Sequence, residues 1–338
     1  MPKTYKNLYP RVCEFENLYQ AHRRARRGGK RKRPEVAEFE HNLGQNLLRL
    51  QAELEAPSYR PGPYRHFVVI ERKERKISAA PYRDRVVHHA LMQVVQPVFE
   101  ARFIHDSYAC RRGKGTHRAL DRAQQFARRY RYVLQCDIRQ FIASIDHAIL
   151  RKLLARHVAC RRTLWLVDRI LDSGAGVLAD RYTPVYFPGD DLLAATRPRG
   201  LPIGNLTSQH WANLYLHPLD LFVKQELQGG GQGPAYLRYC DDFLLFGNEK
   251  ATLHRWRREI IEFLQTLRLT LHEGRAQVYP AGTGIPFLGW RLFPHHRRLR
   301  RENVRDAVRR LRRQQAAFAR GELGPEELAS SIQAWLAH

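Results

Sequence analysis

Ala235-Tyr236-Leu237-Arg238-Tyr239-Cys240-Asp241-Asp242-Phe243-Leu244-Leu245-Phe246-Gly247 is the stretch that decides the fold. Two apolar runs flank Tyr239-Cys240-Asp241-Asp242, which predicts a β-hairpin carrying two adjacent carboxylates at its turn. Setting such a pair between strands fit for a sheet interior is costly unless cations neutralise the charge. Carboxylate oxygens are hard ligands and suit Mg²⁺, which keeps part of its water shell and binds substrate phosphates as well. Tyr132-Val133-Leu134-Gln135-Cys136-Asp137 reads as a second apolar strand ending on a carboxylate. Two metals about 3.5–4 Å apart, clamping the attacking and leaving oxygens of a displacement, need a ligand from a separate element, and Asp137 can supply it. A strand-end Asp standing alone is more often structural; beside the Asp241-Asp242 hairpin that reading becomes the weaker one.

Outward from this centre, Tyr64 to Ile70 alternates toward apolar and β-branched residues before the charged run Glu71-Arg72-Lys73-Glu74-Arg75-Lys76, predicting a hairpin with basic residues at its tip. Asp84 to Phe99 reads as a buried helix. Ser144-Ile145-Asp146 offers N-cap residues for a helix to about Arg156. Arg181 to Gly200 reads as irregular, and 207–227 as helical with a kink at Pro218. Residues 251–270 form an amphipathic helix, Gly284 to Trp290 a short apolar strand pair, and Arg301 to His338 a basic helical tail. The run from Arg23 to Arg33 reads as a charged, flexible break within a helical N-terminal region.

The totals narrow the function. Fifty-eight Lys and Arg against 33 Asp and Glu leave a net charge of +25 on 338 residues, and 43% hydrophobic content is that of a folded chain. Charge of that size points to a polyanionic partner, of which nucleic acid is the usual one. The five cysteines show no paired metal-ligand spacing, which argues against a zinc ribbon or disulfide framework and suits a reducing cytoplasm. No apolar run approaches the roughly 20 residues of a membrane span, and Met1 to Lys6 lacks the apolar stretch of a signal peptide. The expectation is a cytoplasmic protein with no membrane partner.

Taken in order, these motifs resemble those of bacterial reverse transcriptases. Asp137, Phe141, Ser144, Ile145, Asp146 and His147 resemble the first palm motif, and Tyr239-Cys240-Asp241-Asp242 the second. Arg75, Ile77, Arg83, Asp84 and Arg85 match the fingers block, and Gly284-Ile285-Pro286-Phe287-Leu288-Gly289 the primer grip. Between the catalytic motifs, Leu201-Pro202-Ile203-Gly204-Asn205-Leu206-Thr207-Ser208-Gln209 replaces the common Gln-Gly and Ser-Pro pairs. Ile203 and Gln209 make it similar to the reverse transcriptases of diversity-generating retroelements, which copy a template RNA with frequent errors opposite adenine.

The resemblance implies an α+β right-hand polymerase with fingers, an antiparallel palm sheet and a helical thumb. The expected division is an N-terminal helical extension and fingers over 1–88, palm over 89–145, fingers again over 146–202, palm over 203–293, and a thumb, shorter than the family's, over 294–338. It further implies two Mg²⁺ ions on Asp137, the backbone carbonyl of Ile138 and Asp241, with Asp242 in support. Lys73, Arg75 and Arg275 are expected to hold the triphosphate, Phe141 and Ile142 to flank the sugar, and Ile203 and Gly204 to line the nucleotide. Arg75 and Ile203 are expected to bear on fidelity. The implied partners are template RNA, the RNA/DNA duplex, dNTPs and a small basic accessory protein. Ile142 stands where relatives usually carry an aromatic residue, and Arg275 where a Lys is frequent. Three other readings stay open: a group II intron-type enzyme, a retron or defence-associated enzyme, and a non-catalytic RNA-binding scaffold.

Overall fold

The computed structural model describes residues 4–70, 74–227 and 235–336. A hairpin of β1 (Arg65–Ile70) and β2 (Glu74–Ala79) precedes a central antiparallel sheet. That sheet is built from β3 (Tyr132–Asp137), β4 (Ala235–Tyr239), β5 (Asp242–Gly247) and β6 (Gln277–Pro280), in the order β4-β5-β3-β6. A smaller sheet follows, in which β8 (Trp290–Leu292) lies between β7 (Ile285–Phe287) and β9 (Arg297–Leu299).

Both faces of β3, β4 and β5 are largely buried, and the two-residue period of the strands divides the apolar side chains between them. Leu134, Cys136, Tyr236, Phe243 and Leu245 join the main core. Helix Lys250–Thr266 covers that face with Leu253, Trp256, Ile260 and Leu264. Val133, Leu237, Leu244 and Phe246 enter a second core under helix Thr116–Arg129, which supplies Ala119, Leu120, Ala123 and Phe126. Each large aliphatic or aromatic side chain so buried contributes about 1.5–3 kcal/mol. The sheet is therefore packed on both sides, and the end of β3 meets the start of β5 at Asp137 and Asp242.

Several expected elements differ in detail. Arg75 and Lys76 lie within β2 rather than in a turn, paired with Val69 and Val68 of β1, while Lys73 lies outside the described residues. The expected 207–227 helix is two helices, Leu206–Tyr215 and His217–Gln225. Pro218 sits in the first turn of the second, where its missing N–H costs nothing, so it starts a helix instead of kinking one. The amphipathic helix stops at Thr266, and Arg268 follows with a positive φ of 55°. The apolar pair after Gly284 gains β9 as a third strand. Arg23 and Arg24 complete helix Phe15–Ala25 instead of standing in a loop. The basic tail forms two helices, Arg301–Ala319 and Pro325–Leu336. Among the described residues, no helix is long and apolar enough to cross a membrane.

Candidate active site

Strand register builds the site. β3 and β5 pair so that Asp137 stands directly opposite Asp242, and β4 and β5 pair Tyr239 with Asp242 across the hairpin. Directly paired residues project from the same face about 4.5–5.5 Å apart, where like charges repel. Cys240 and Asp241 form the turn between the strands, and Cys240 adopts φ 58°. That left-handed conformation costs a non-glycine residue roughly 1–2 kcal/mol and must be held by its surroundings.

The electrostatics follow from this crowding. Burial raises the Asp241 carboxyl above its ordinary range, and the charge of Asp137 adds to the rise. Asp242 is pushed up to about 7, by burial first and then by Asp241 and Asp137, with Arg275 opposing. Carboxylates that resist ionising side by side are a donor set suited to divalent cations. Arg275 forms an ion pair with Asp137, so one cation of the chain already answers this charge. Among the described residues, no group of three or more His, Cys, Asp or Glu side chains is arranged as a metal cage. Mg²⁺ does not demand one, because water and substrate phosphates complete its shell around one or two carboxylates.

A cleft of about 530 Å³ opens in front of the turn. Asp137, Ile138, Phe141, Ile142, Ile203, Asp241, Arg75 and Arg275 all line it. Asp242 and Gly204 lie outside the lining. Phe141 is 2% exposed, with its ring 6.5 Å from that of Tyr215, while its neighbour Ile142 is half-buried. The 200–204 segment runs beside the 142–145 segment, with Gly200 N donating to Ile145 O at 2.9 Å and Leu201 N to Ile142 O at 3.1 Å. The same segment is held to β2 by Ser78 N donating to Ile203 O at 2.9 Å. Gly204 has φ +114°, and a Cβ there would lie 3.0 Å from Ile77 Cγ2, so glycine is needed for this close approach.

Other residues in and behind the cleft are ones the sequence reading passes over. Arg139, Arg181 and His272 join its lining. Arg181 pairs with Glu74, and Lys76 with Asp180 at 3.1 Å, tying β2 across to the segment after Leu178. Behind the turn, Arg238 and Asp220 form an ion pair at 2.6 Å with both side chains fully buried. A sequence signal for that pair exists: an arginine inside an apolar strand, and Asp220 between Leu219 and Leu221 on an apolar helix.

Comparison with known proteins agrees with this architecture. The family model for reverse transcriptase (RNA-dependent DNA polymerase) matches residues 69–292, more than half of the chain, and the chain belongs to that family. Protein YkfC of Escherichia coli (strain K12) is 24% identical over 286 residues, covering 74% of this chain and 72% of that protein. The group II intron-encoded protein LtrA of Lactococcus lactis subsp. cremoris is 24% identical over 185 residues, 54% of this chain and 28% of LtrA. The structure of apo telomerase from Candida tropicalis, truncated from its C-terminal domain, superposes with a TM-score of 0.51 at 12% identity. That superposition covers 76% of this chain and 60% of the telomerase chain, and shows a shared right-hand polymerase fold.

Proposed function

We propose that this chain copies a template RNA into cDNA, and that it is the polymerase of a diversity-generating retroelement. The observation that carries the first part is the register that sets Asp137 against Asp242, with Asp241 at the turn facing a cleft lined by arginines. In this reading a primer 3′-hydroxyl attacks the α-phosphate of a dNTP and pyrophosphate leaves. Asp137, the carbonyl of Ile138 and Asp241 would hold two Mg²⁺ ions, with Asp242 supporting them; the ions supply charge neutralisation and alignment of the reacting oxygens. The protein contributes positioning and electrostatics. Arg275 exchanges its Asp137 partner for the triphosphate, and Arg75 binds the same group from β2 with the planar fork that suits phosphate oxygens; Lys73, outside the described residues, is assigned there too. Ile142 flanks the sugar and Ile203 lines the base and sugar of the incoming nucleotide, while Gly204, assigned to the same block, acts from outside the lining by letting the segment pack against Ile77. In right-hand terms, 1–88 and 146–202 are assigned to the N-terminal extension and fingers, 89–145 and 203–293 to the palm, and 294–338 to the thumb.

The retroelement reading rests on Ile203 and Gln209 in the block between the catalytic motifs, and brings with it a small basic accessory protein as partner. Similarity to LtrA favours a second reading, a group II intron-type enzyme. Primer extension on an RNA template with Mg²⁺ and all four dNTPs, followed by sequencing of the product, separates them. Errors concentrated opposite adenine support the retroelement reading, and sparse, evenly distributed errors the intron-type one. No extension on RNA would remove both.

A further inference from the structure

The carbonyl of Cys240, the residue immediately before Asp241, accepts a hydrogen bond from Arg238 Nη1 at 3.0 Å. Arg238 is the largest fully buried side chain among the described residues. Its Nε and Nη2 donate to the two carboxylate oxygens of Asp220 at 2.7 and 2.6 Å. Its Nη1 also donates to Asn213 Oδ1 at 3.2 Å, and Nη2 to Ser107 Oγ at 3.3 Å. The backbone is held as firmly, with Arg238 N donating to Asp106 O and Tyr108 N to Arg238 O, both at 2.9 Å. Tyr236 Oη completes the shell of Asp220 at 2.7 Å. One guanidinium thus joins two helices, the 104–110 loop and the catalytic turn.

Stability alone does not account for this arrangement. Taking two charges out of water costs several kcal/mol each, and well-packed apolar residues of similar volume serve stability as well or better. What apolar residues cannot do is donate to the Cys240 carbonyl, and Cys240 is the residue held in the left-handed conformation. A flat fork of five donors can hold a carboxylate with one edge and the turn with another. We propose that Arg238, itself fixed by Asp220, is a positioning residue that sets the Cys240 turn and so aims Asp241 at the site it shares with Asp137. Arg238 touches no substrate and acts through the turn. The inference rests on the polymerase reading for its effect on rate, but not for its effect on metal binding.

The test compares the double variant Arg238→Met/Asp220→Leu, and separately Arg238→Lys, with the parent chain. The double variant removes both buried charges together. The lysine keeps a charge against Asp220, yet it puts all its donors on one nitrogen in place of the separate Nε, Nη2 and Nη1 that reach Asp220 and Cys240. Two readouts are taken on folded protein whose template RNA affinity matches the parent. One is kcat and KM for dNTP in primer extension. The other is Mn²⁺ affinity, measured without turnover by electron paramagnetic resonance. The expected result is a fall in kcat of about 10- to 100-fold, the loss of one charge-assisted hydrogen bond, with KM nearly unchanged and Mn²⁺ binding weakened. A folded variant of either kind with parental kcat and Mn²⁺ affinity would overturn the proposal. Failure of both variants to fold would assign the pair to stability and overturn it equally. If the parent extends no primer, the polymerase reading falls, and the Mn²⁺ comparison still decides the role of Arg238.

Discussion

Replacing Ile203 by glutamine probes how the cleft judges a base pair. The backbone at this position is fixed from both sides: its carbonyl accepts from Ser78 N at 2.9 Å, and Leu201, two residues earlier, donates to Ile142 O at 3.1 Å. Gly204, at φ +114° and packed against Ile77, leaves the segment little room to shift. A substitution at 203 therefore changes the side chain facing the cleft and not the path of the chain. Isoleucine offers no donor or acceptor, whereas glutamine would offer both to the sugar and base edge of an incoming nucleotide. One net hydrogen bond is worth about 0.5–1.5 kcal/mol, which converts to roughly a 2- to 13-fold change in discrimination. Ile203→Gln should lower misincorporation opposite template adenine by about that factor, and by less opposite the other bases. The assay is deep sequencing of cDNA made by both proteins from one RNA template at matched extents of extension. An adenine error rate that stays the same while extension proceeds normally would refute the reasoning.

Three further outcomes are expected. Asp242, raised to about 7 from an ordinary 3.8, retains in the folded state a proton that the unfolded chain gives up between those values. Its contribution to metal-free stability is therefore full below about pH 4 and falls as pH rises through 7. Thermal melting in EDTA should show that slope in the parent and a flatter one in Asp242→Asn; equal slopes would count against the crowded-carboxylate account. Template RNA affinity should fall with salt with a log–log slope of several units, and charge-reducing changes in the exposed Arg23–Arg33 and Arg297–Arg313 runs should lower that slope, as counterion release requires. Filter binding over a salt series measures it, and a slope near zero would mean the charge has another purpose. Ile142→Phe should strengthen rejection of rNTPs, because an aromatic ring there would press on C2′. Equal rNTP incorporation by both proteins would move the gate to another residue, and Phe141, whose ring packs toward Tyr215, would then need a different conformation to serve.

The centre of the molecule was legible because its signals are local and periodic. Alternating apolar residues gave β3, β4 and β5 with the carboxylates at their ends, and the N-cap at Asp146 is there, its side chain accepting from Ile149 N at 3.0 Å. The register that brings Asp137 opposite Asp242 is a long-range pairing, and neither strand states it alone. The Arg275–Asp137 pair joins residues distant in sequence, and for Arg238 and Asp220 the sequence signals a buried charge in each apolar element without saying that the two meet. Pro218 misled because a proline inside an apolar helical pattern reads as a kink, while only the backbone shows a new helix beginning there. Arg75 and Lys76 read as a turn because charge clusters usually mark one, yet an exposed two-stranded hairpin accepts charges along its length. Gly204 could be nominated from the motif, but its need for a positive φ beside Ile77 is visible only in three dimensions.

The central claim is that the carboxylates at the ends of β3 and β5 carry the chemistry, and Asp241→Asn tests it most directly. The substitution keeps the shape of the side chain and removes one charge from a crowded group, so the fold should survive. Primer extension on an RNA template is measured across a series of Mg²⁺ concentrations, beside melting temperature and template RNA affinity. Extension should be lost at every Mg²⁺ concentration while melting and RNA binding stay close to those of the parent. Substantial extension by a folded, RNA-binding Asp241→Asn protein would contradict it.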